Sequence, residues 1–263
     1  MENGLNIKLL DICSENEKLL LVLQDDQILV CGCILQINSD VVYIEALDTT
    51  GLCTPRNIQK MIINSLIHYI CNLDIAIISV FSLPRKEIIF GGSEHNSLKG
   101  FYTPKKLEEF WKDRFSSTRL GKVHVYSNFT KNKSFPYKKL EHIRLFDDDP
   151  KRKTMSDDLD ISTFFQTLLH RADFIKGSLI YLEKQEVTTT PEECVFDESS
   201  VVRRALNLLR QSDFSDKQNG IESTKQFLNS FYCESKELEL IKIDEVKKAE
   251  EEILFLVPKN KLI

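Results

Sequence analysis

Between Lys18 and Leu47 the chain alternates apolar and polar blocks: KLLLVL, then QDDQ, then ILVCGCILQI, then NSD, then VVYIEAL. Apolar and β-branched runs bounded by Asp, Asn and Ser predict three strands joined by turns, an antiparallel meander. DTTGLCTPR then breaks the pattern. From Asn57 the apolar positions Ile58, Met61, Ile62, Leu66, Tyr69 and Ile70 recur at helical spacing, and Pro55 suits the entry of that helix. DIAIISVF reads as a buried strand. FYTPKKLEEFWKDRF reads as a helix capped by Thr103, with Pro104 in its first turn and a stripe of Leu107, Phe110, Trp111 and Phe115. A short strand at Lys122 to Tyr126, a helix in LDISTFFQTLLHRADF, a strand in GSLIYLEKQ, two helices between Ser200 and Cys233, and a last strand at ILFLVP complete the series. FGGSEHNSLKG reads as a flexible loop, and the acidic and basic ESKELELIKIDEVKKAEEEI as a solvated helix face or an exposed strand. No internal repeat is present, so one mixed α/β domain is expected.

Composition narrows the class. The 263 residues are 42% hydrophobic and 29% charged, ordinary for a globular protein. The longest apolar runs, such as IAIISVF, fall far short of the roughly 20 residues of a membrane span. The N-terminus lacks a basic segment followed by an apolar one, so neither secretion nor membrane insertion is expected. Seven cysteines are scattered, several inside apolar runs, and read as reduced core residues of a cytosolic or nuclear protein. The only close pair is Cys31 and Cys33, so no metal is expected. The sequons at Asn128 and Asn132 are then silent. A net charge of −5 argues against direct nucleic-acid binding and leaves room for a basic partner.

Three stretches carry candidate chemistry. DTTGLCTPR, from Asp48 to Arg56, joins a strand end to a helix start and holds Gly51 and Arg56, the parts of a phosphate cradle or of a plain connector. Trp111, the sole tryptophan, reads as core or as the wall of a pocket. LFDDDPK sets Asp147, Asp148 and Asp149 side by side, as a solvated turn or as a site. The five histidines show no triad-like arrangement with a serine or cysteine.

In this order, these stretches resemble the fungal histone acetyltransferase family named for regulation of Ty transposition. LDTTGLCTPR is similar to the family's Asp-Thr-x-Gly-x-Cys loop with its following arginine. The span from Phe81 to Trp111 aligns without a gap, matching Phe81, Pro84, Phe90, Ser93, Asn96, Ser97, Lys99, Leu107 and Trp111 or near neighbours, and LFDDDPK resembles the family's paired aspartates before proline and lysine. The resemblance implies a single α/β (α+β) domain over residues 1–263, with a central mixed, largely antiparallel sheet surrounded by helices and a fold related to the metazoan CREB-binding-protein acetyltransferase. It implies transfer of acetyl from acetyl-CoA to a lysine of histone H3, in the nucleus, with histone chaperones presenting the H3–H4 complex during replication-coupled nucleosome assembly.

By position, the resemblance assigns Leu47, Asp48, Thr49, Arg56, Asn57, Ile58, Gln59, Lys60, Phe81, Arg85, Gly100, Phe101, Tyr102 and Phe110 to the cofactor. Asp149, Asp148, Trp111 and Asp48 are assigned to the substrate lysine and catalysis, and Lys151 to autoacetylation. The chain has Ile88, Gly100, Phe110 and Asp147 where the family has tyrosine, histidine, tryptophan and proline. A histone- or chaperone-binding module of the same fold, or an acetyltransferase for a small molecule, are the other readings.

Overall fold

A computed structural model describes residues 6–38, 40–53, 56–83, 89–96, 99, 103–128, 160–170, 177–185, 201–231 and 233–240. One mixed sheet of eight strands organises them: β1 (Ile7–Cys13), β2 (Glu17–Gln24), β3 (Ile28–Asn38), β4 (Val41–Thr49), β5 (Ile77–Ser82), β6 (Gly121–Ser127), β7 (Ser178–Lys184) and β8 (Glu234–Glu237). Their spatial order is β6-β7-β5-β4-β3-β2-β1-β8. Every described pairing is antiparallel except β4 with β5. A parallel pair needs a crossover, and α1 (Arg56–Cys71) supplies it.

The expected meander is β2, β3 and β4. The QDDQ turn works because Asp25 and Asp26 both take the left-handed conformation, φ 53° and 57°, whose twist matches that of a hairpin. β1 is an addition: IKLLDIC pairs along its whole length with β2, and β8 then pairs with β1. The stretch ESKE is thus an edge strand, where charged residues discourage further pairing. The expected last strand at ILFLVP lies outside the described residues.

Alternation along the strands divides the interior. Ile78 and Val80 of β5 and Ile180 and Leu182 of β7 join a large cluster with α1 and α2 (Pro104–Thr118), which includes Trp111 and Phe115. Phe81, Leu179 and Tyr181 turn to a second cluster with Tyr43, Tyr126 and the α3 (Ile161–Leu169) residues Phe164, Phe165 and Leu168. Two further helices, α4 (Val201–Gln211) and α5 (Lys217–Ser230), cover the β1–β3 half, where the Thr224 hydroxyl accepts the Leu29 amide at 3.0 Å.

Residues 90–96 are not a flexible loop, which corrects the reading of FGGSEHNSLKG. Gly91 donates its amide to the Leu209 carbonyl at 3.1 Å, and its own carbonyl accepts the Phe214 amide at 2.8 Å. A Cβ on Gly91 would overlap the carbonyls of Arg210 and Ser212, so only glycine lets the two backbones approach this closely. Phe90 stacks edge-on against Phe214 at 5.1 Å. Glycine-rich composition here serves close packing rather than mobility.

All six described cysteines are free thiols, and Cys31, Cys33, Cys53 and Cys71 are fully buried. Burial pushes the Cys53 and Cys71 thiols up to about 12. In the native protein at pH 8, alkylation is therefore expected at half-buried Cys13 and Cys233 before these four, a sequence that peptide mass spectrometry reads directly. Their burial also links stability to alkali. The folded state keeps these protons where unfolded thiols, titrating near 9, lose them, so this stabilisation is present below about pH 9 and is lost toward about pH 12.

Candidate active site

The crossover puts the carboxyl ends of β4 and β5 on one edge of the sheet, the usual place for a ligand in such an arrangement. Leu47, Asp48 and Thr49 end β4, and Phe81 and Ser82 end β5. Because β7 pairs antiparallel with both β5 and β6, Ser178 starts β7 between Ser82 and Ser127 on that same edge. The first turn of α1, from Arg56 to Lys60, begins there too, with amides that no preceding turn can satisfy.

Two of the assigned groups meet directly. Gln59 donates from Nε2 to the Thr49 hydroxyl at 3.3 Å, tying the start of α1 to the end of β4. Its Oε1 is buried without a hydrogen-bond partner among the described residues. Leu47 and Ile58 are half-buried against the large cluster, and Lys60 is exposed. Free amides at a helix start suit a pyrophosphate, and an orphaned acceptor beside them suits an amide N–H such as pantetheine carries. The residues present therefore fit coenzyme A.

Asp48 is 6% exposed, and its carboxylate is fully engaged. Oδ1 accepts the Thr49 amide at 2.8 Å and pairs with the Lys99 ammonium at 2.8 Å. Oδ2 accepts the Ile89 and Phe90 amides at 3.1 and 3.4 Å. Lys99 also donates to the Ser93 hydroxyl at 2.6 Å. Gly51 takes φ 72°, and a Cβ there would meet the Lys99 amide nitrogen at 2.9 Å, so the Asp48-to-Cys53 loop needs its glycine. Asn96 closes the assembly by donating to the Thr50 and Phe214 carbonyls at 2.5 and 2.6 Å. Burial, with the Asp48 charge second, drives the Cys31 thiol well above its ordinary value.

On α2, Thr103 caps the helix by accepting the Lys106 amide, with Pro104 at its first position. Trp111 is 4% exposed, edge-on to Phe110 at 5.4 Å and tilted against Phe115 at 5.7 Å. Phe110 is half-buried, with the Arg114 guanidinium 5.3 Å over its ring. Phe81 stands apart from these aromatics, since its side chain belongs to the cluster under α3.

One functional candidate escaped the sequence reading. Glu108 is 5% exposed, and its Oε2 accepts the Ser178 hydroxyl at 2.5 Å. In LEEFWK it looks like one more solvated charge. The signal that finds it is its position three residues before Trp111, which puts both on one helix face. Arg85, Gly100, Phe101, Tyr102, Asp148, Asp149 and Lys151 lie outside the described residues, as do the side chains of Arg56 and Asn57. Among the described residues no group of His, Cys, Asp and Glu has the makings of a metal site.

No protein-family profile and no curated protein sequence matches the chain. Solved structures do match. The crystal structure of Rtt109 from Aspergillus fumigatus superimposes with a TM-score of 0.61 at 12% sequence identity, covering 91% of this chain and 97% of that one. The protein therefore has an Rtt109-like fold, the one implied by the sequence resemblance.

Proposed function

We propose that residues 1–263 form one histone acetyltransferase domain that uses acetyl-CoA to acetylate a lysine of histone H3. The observation that carries this reading is the convergence of the β4 end, the α1 start and, through the Glu108–Ser178 bond, the first turns of α2 on one edge of the sheet. Leu47, Thr49, the α1 turn from Arg56 to Lys60, Arg85, Gly100, Phe101, Tyr102 and Phe110 would hold the cofactor, whose contribution when bound is an activated acyl thioester. Phe81 joins them as a strand-end residue, and Asp48 as the group that fixes the β4 end.

A substrate lysine, with an unperturbed pKa near ~10.4, arrives protonated at neutral pH and must lose that proton before its nitrogen can attack. Trp111 supports the wall along which its stem lies, and Asp148 and Asp149 attract the ammonium, with Asp149 the proton-relay candidate. Lys151, two residues on, is the proposed site of self-acetylation. In this reading the enzyme is nuclear, needs no metal, binds neither membrane nor nucleic acid directly, and receives H3–H4 from histone chaperones during nucleosome assembly.

Incubation with labelled acetyl-CoA and the H3–H4 complex, with and without a chaperone, is expected to label H3 lysines and Lys151, as mapped by mass spectrometry. Acetyl-CoA binding with no transfer under any condition would instead support a histone- or chaperone-binding module. The engagement of every Asp48 acceptor position by the protein itself is what favours that second reading.

A further inference from the structure

Three buried serines stand in one row across three strands: Ser82 of β5, Ser178 of β7 and Ser127 of β6, at 2%, 0% and 0% exposure. Residues paired across neighbouring strands point to the same face, about 5 Å apart. Ser178 is bound to the buried Glu108 carboxylate. A helix-to-strand latch would account for that bond and nothing more. The Ser82 hydroxyl, however, has no hydrogen-bond partner among the described residues. A buried hydroxyl left unpaired is destabilising, and alanine would fill the position without that cost, unless a ligand group supplies the bond. Glu108, held over this row by its bond to Ser178, shares one face of α2 with Trp111. A carboxylate, a hydroxyl in need of a partner and an indole ring together suit a primary alkylammonium.

We propose that Glu108 is the anchor and proton acceptor for the amine entering beside Trp111, with the Ser178 and Ser82 hydroxyls as its relay. The inference rests on the acyl-transfer reading above and differs from it at one point, placing the proton acceptor on Glu108 in place of Asp149. The ammonium passes one proton through the hydroxyl relay to the Glu108 carboxylate. The freed lone pair forms the C–N bond as the C–S bond of the acyl thioester breaks. The second proton, which the nitrogen sheds as the amide forms, goes to the departing thiolate, and Glu108 returns the first to solvent.

Glu108→Gln keeps an acceptor for Ser178 and removes the charge, so the Ser178 bond of a latch survives the change. With acetyl-CoA and H3–H4, the variant is expected to lose about a hundredfold in kcat at pH 7, with KM for acetyl-CoA unchanged. The deficit should shrink toward pH 10, where solvent alone deprotonates the amine. Rates within twofold of the parent at every pH would overturn the proposal. A second measurement needs no turnover: Trp111, the only tryptophan, reports by fluorescence on titration with n-butylammonium at pH 7. Saturable binding is expected in the parent and in Glu109→Gln, an exposed control on the same helix, and binding about tenfold weaker or more in Glu108→Gln and Ser82→Ala. Equal binding in the parent and Glu108→Gln would also overturn it. Glu108-dependent amine binding without acetyl transfer would keep the site and remove the acyl-transfer reading.

Discussion

Replacing Asp48 by alanine is expected to destabilise the fold by about 3–5 kcal/mol, read as a lower denaturant midpoint at unchanged slope. The change strands a Lys99 ammonium that is 7% exposed, together with the Ile89 and Phe90 amides. An isolated buried charge costs far more than a missing surface contact, so the effect should exceed that of breaking the exposed Lys105–Glu109 pair, worth well under about 1 kcal/mol. The double variant Asp48→Leu with Lys99→Met removes both charges at once. It should recover much of the loss, giving a large coupling energy in a double-mutant cycle. A loss below about 1 kcal/mol for Asp48→Ala would show that water reaches the pair and that Asp48 is not the clasp described here. The same experiment bears on function, because a carboxylate with four protein donors positions its strand and loop before it can serve a ligand.

Trp111→Ala is expected to cost about 3–5 kcal/mol as well, from the lost burial of an indole packed on Phe110 and Phe115 and from the cavity it leaves. Loss of acetyl transfer in that variant would mix unfolding with loss of the wall. Trp111→Phe separates the two, since it keeps an aromatic in place and should cost less stability than the alanine change. If Trp111 guides the acceptor amine, the phenylalanine variant should keep a cooperative thermal transition while its kcat/KM for H3–H4 falls about tenfold or more. Unchanged kcat/KM would assign Trp111 to the core alone.

Most of the elements were legible because their signals are local. Apolar and β-branched runs between turn residues marked β2 to β4, helical spacing marked α1 and α2, and Thr103 with Pro104 placed the start of α2 to the residue. The misreadings have a common cause. FGGSEHNSLKG carries a loop composition, yet Gly91 and Asn96 spend their polar groups on residues more than a hundred positions away, near Phe214. β1 is a good strand by composition, but only its partners β2 and β8 show that IKLLDIC extends the sheet. Glu108 sits in a charged run whose local pattern says solvent.

The sequence by itself determined the order and type of most elements and, through its resemblance to a family, the fold to expect. Those depend on residue spacing along one segment. Only the tertiary structure decided that Asp48 is clasped by Lys99 and two loop amides, that Phe81 turns away from Trp111 to the opposite face of the sheet, and that Glu108 meets Ser178 across 70 residues of chain. Each is a pairing between distant segments. What selects it is the cost of leaving a buried charge or polar group without a partner, which exists only once the elements have closed around it.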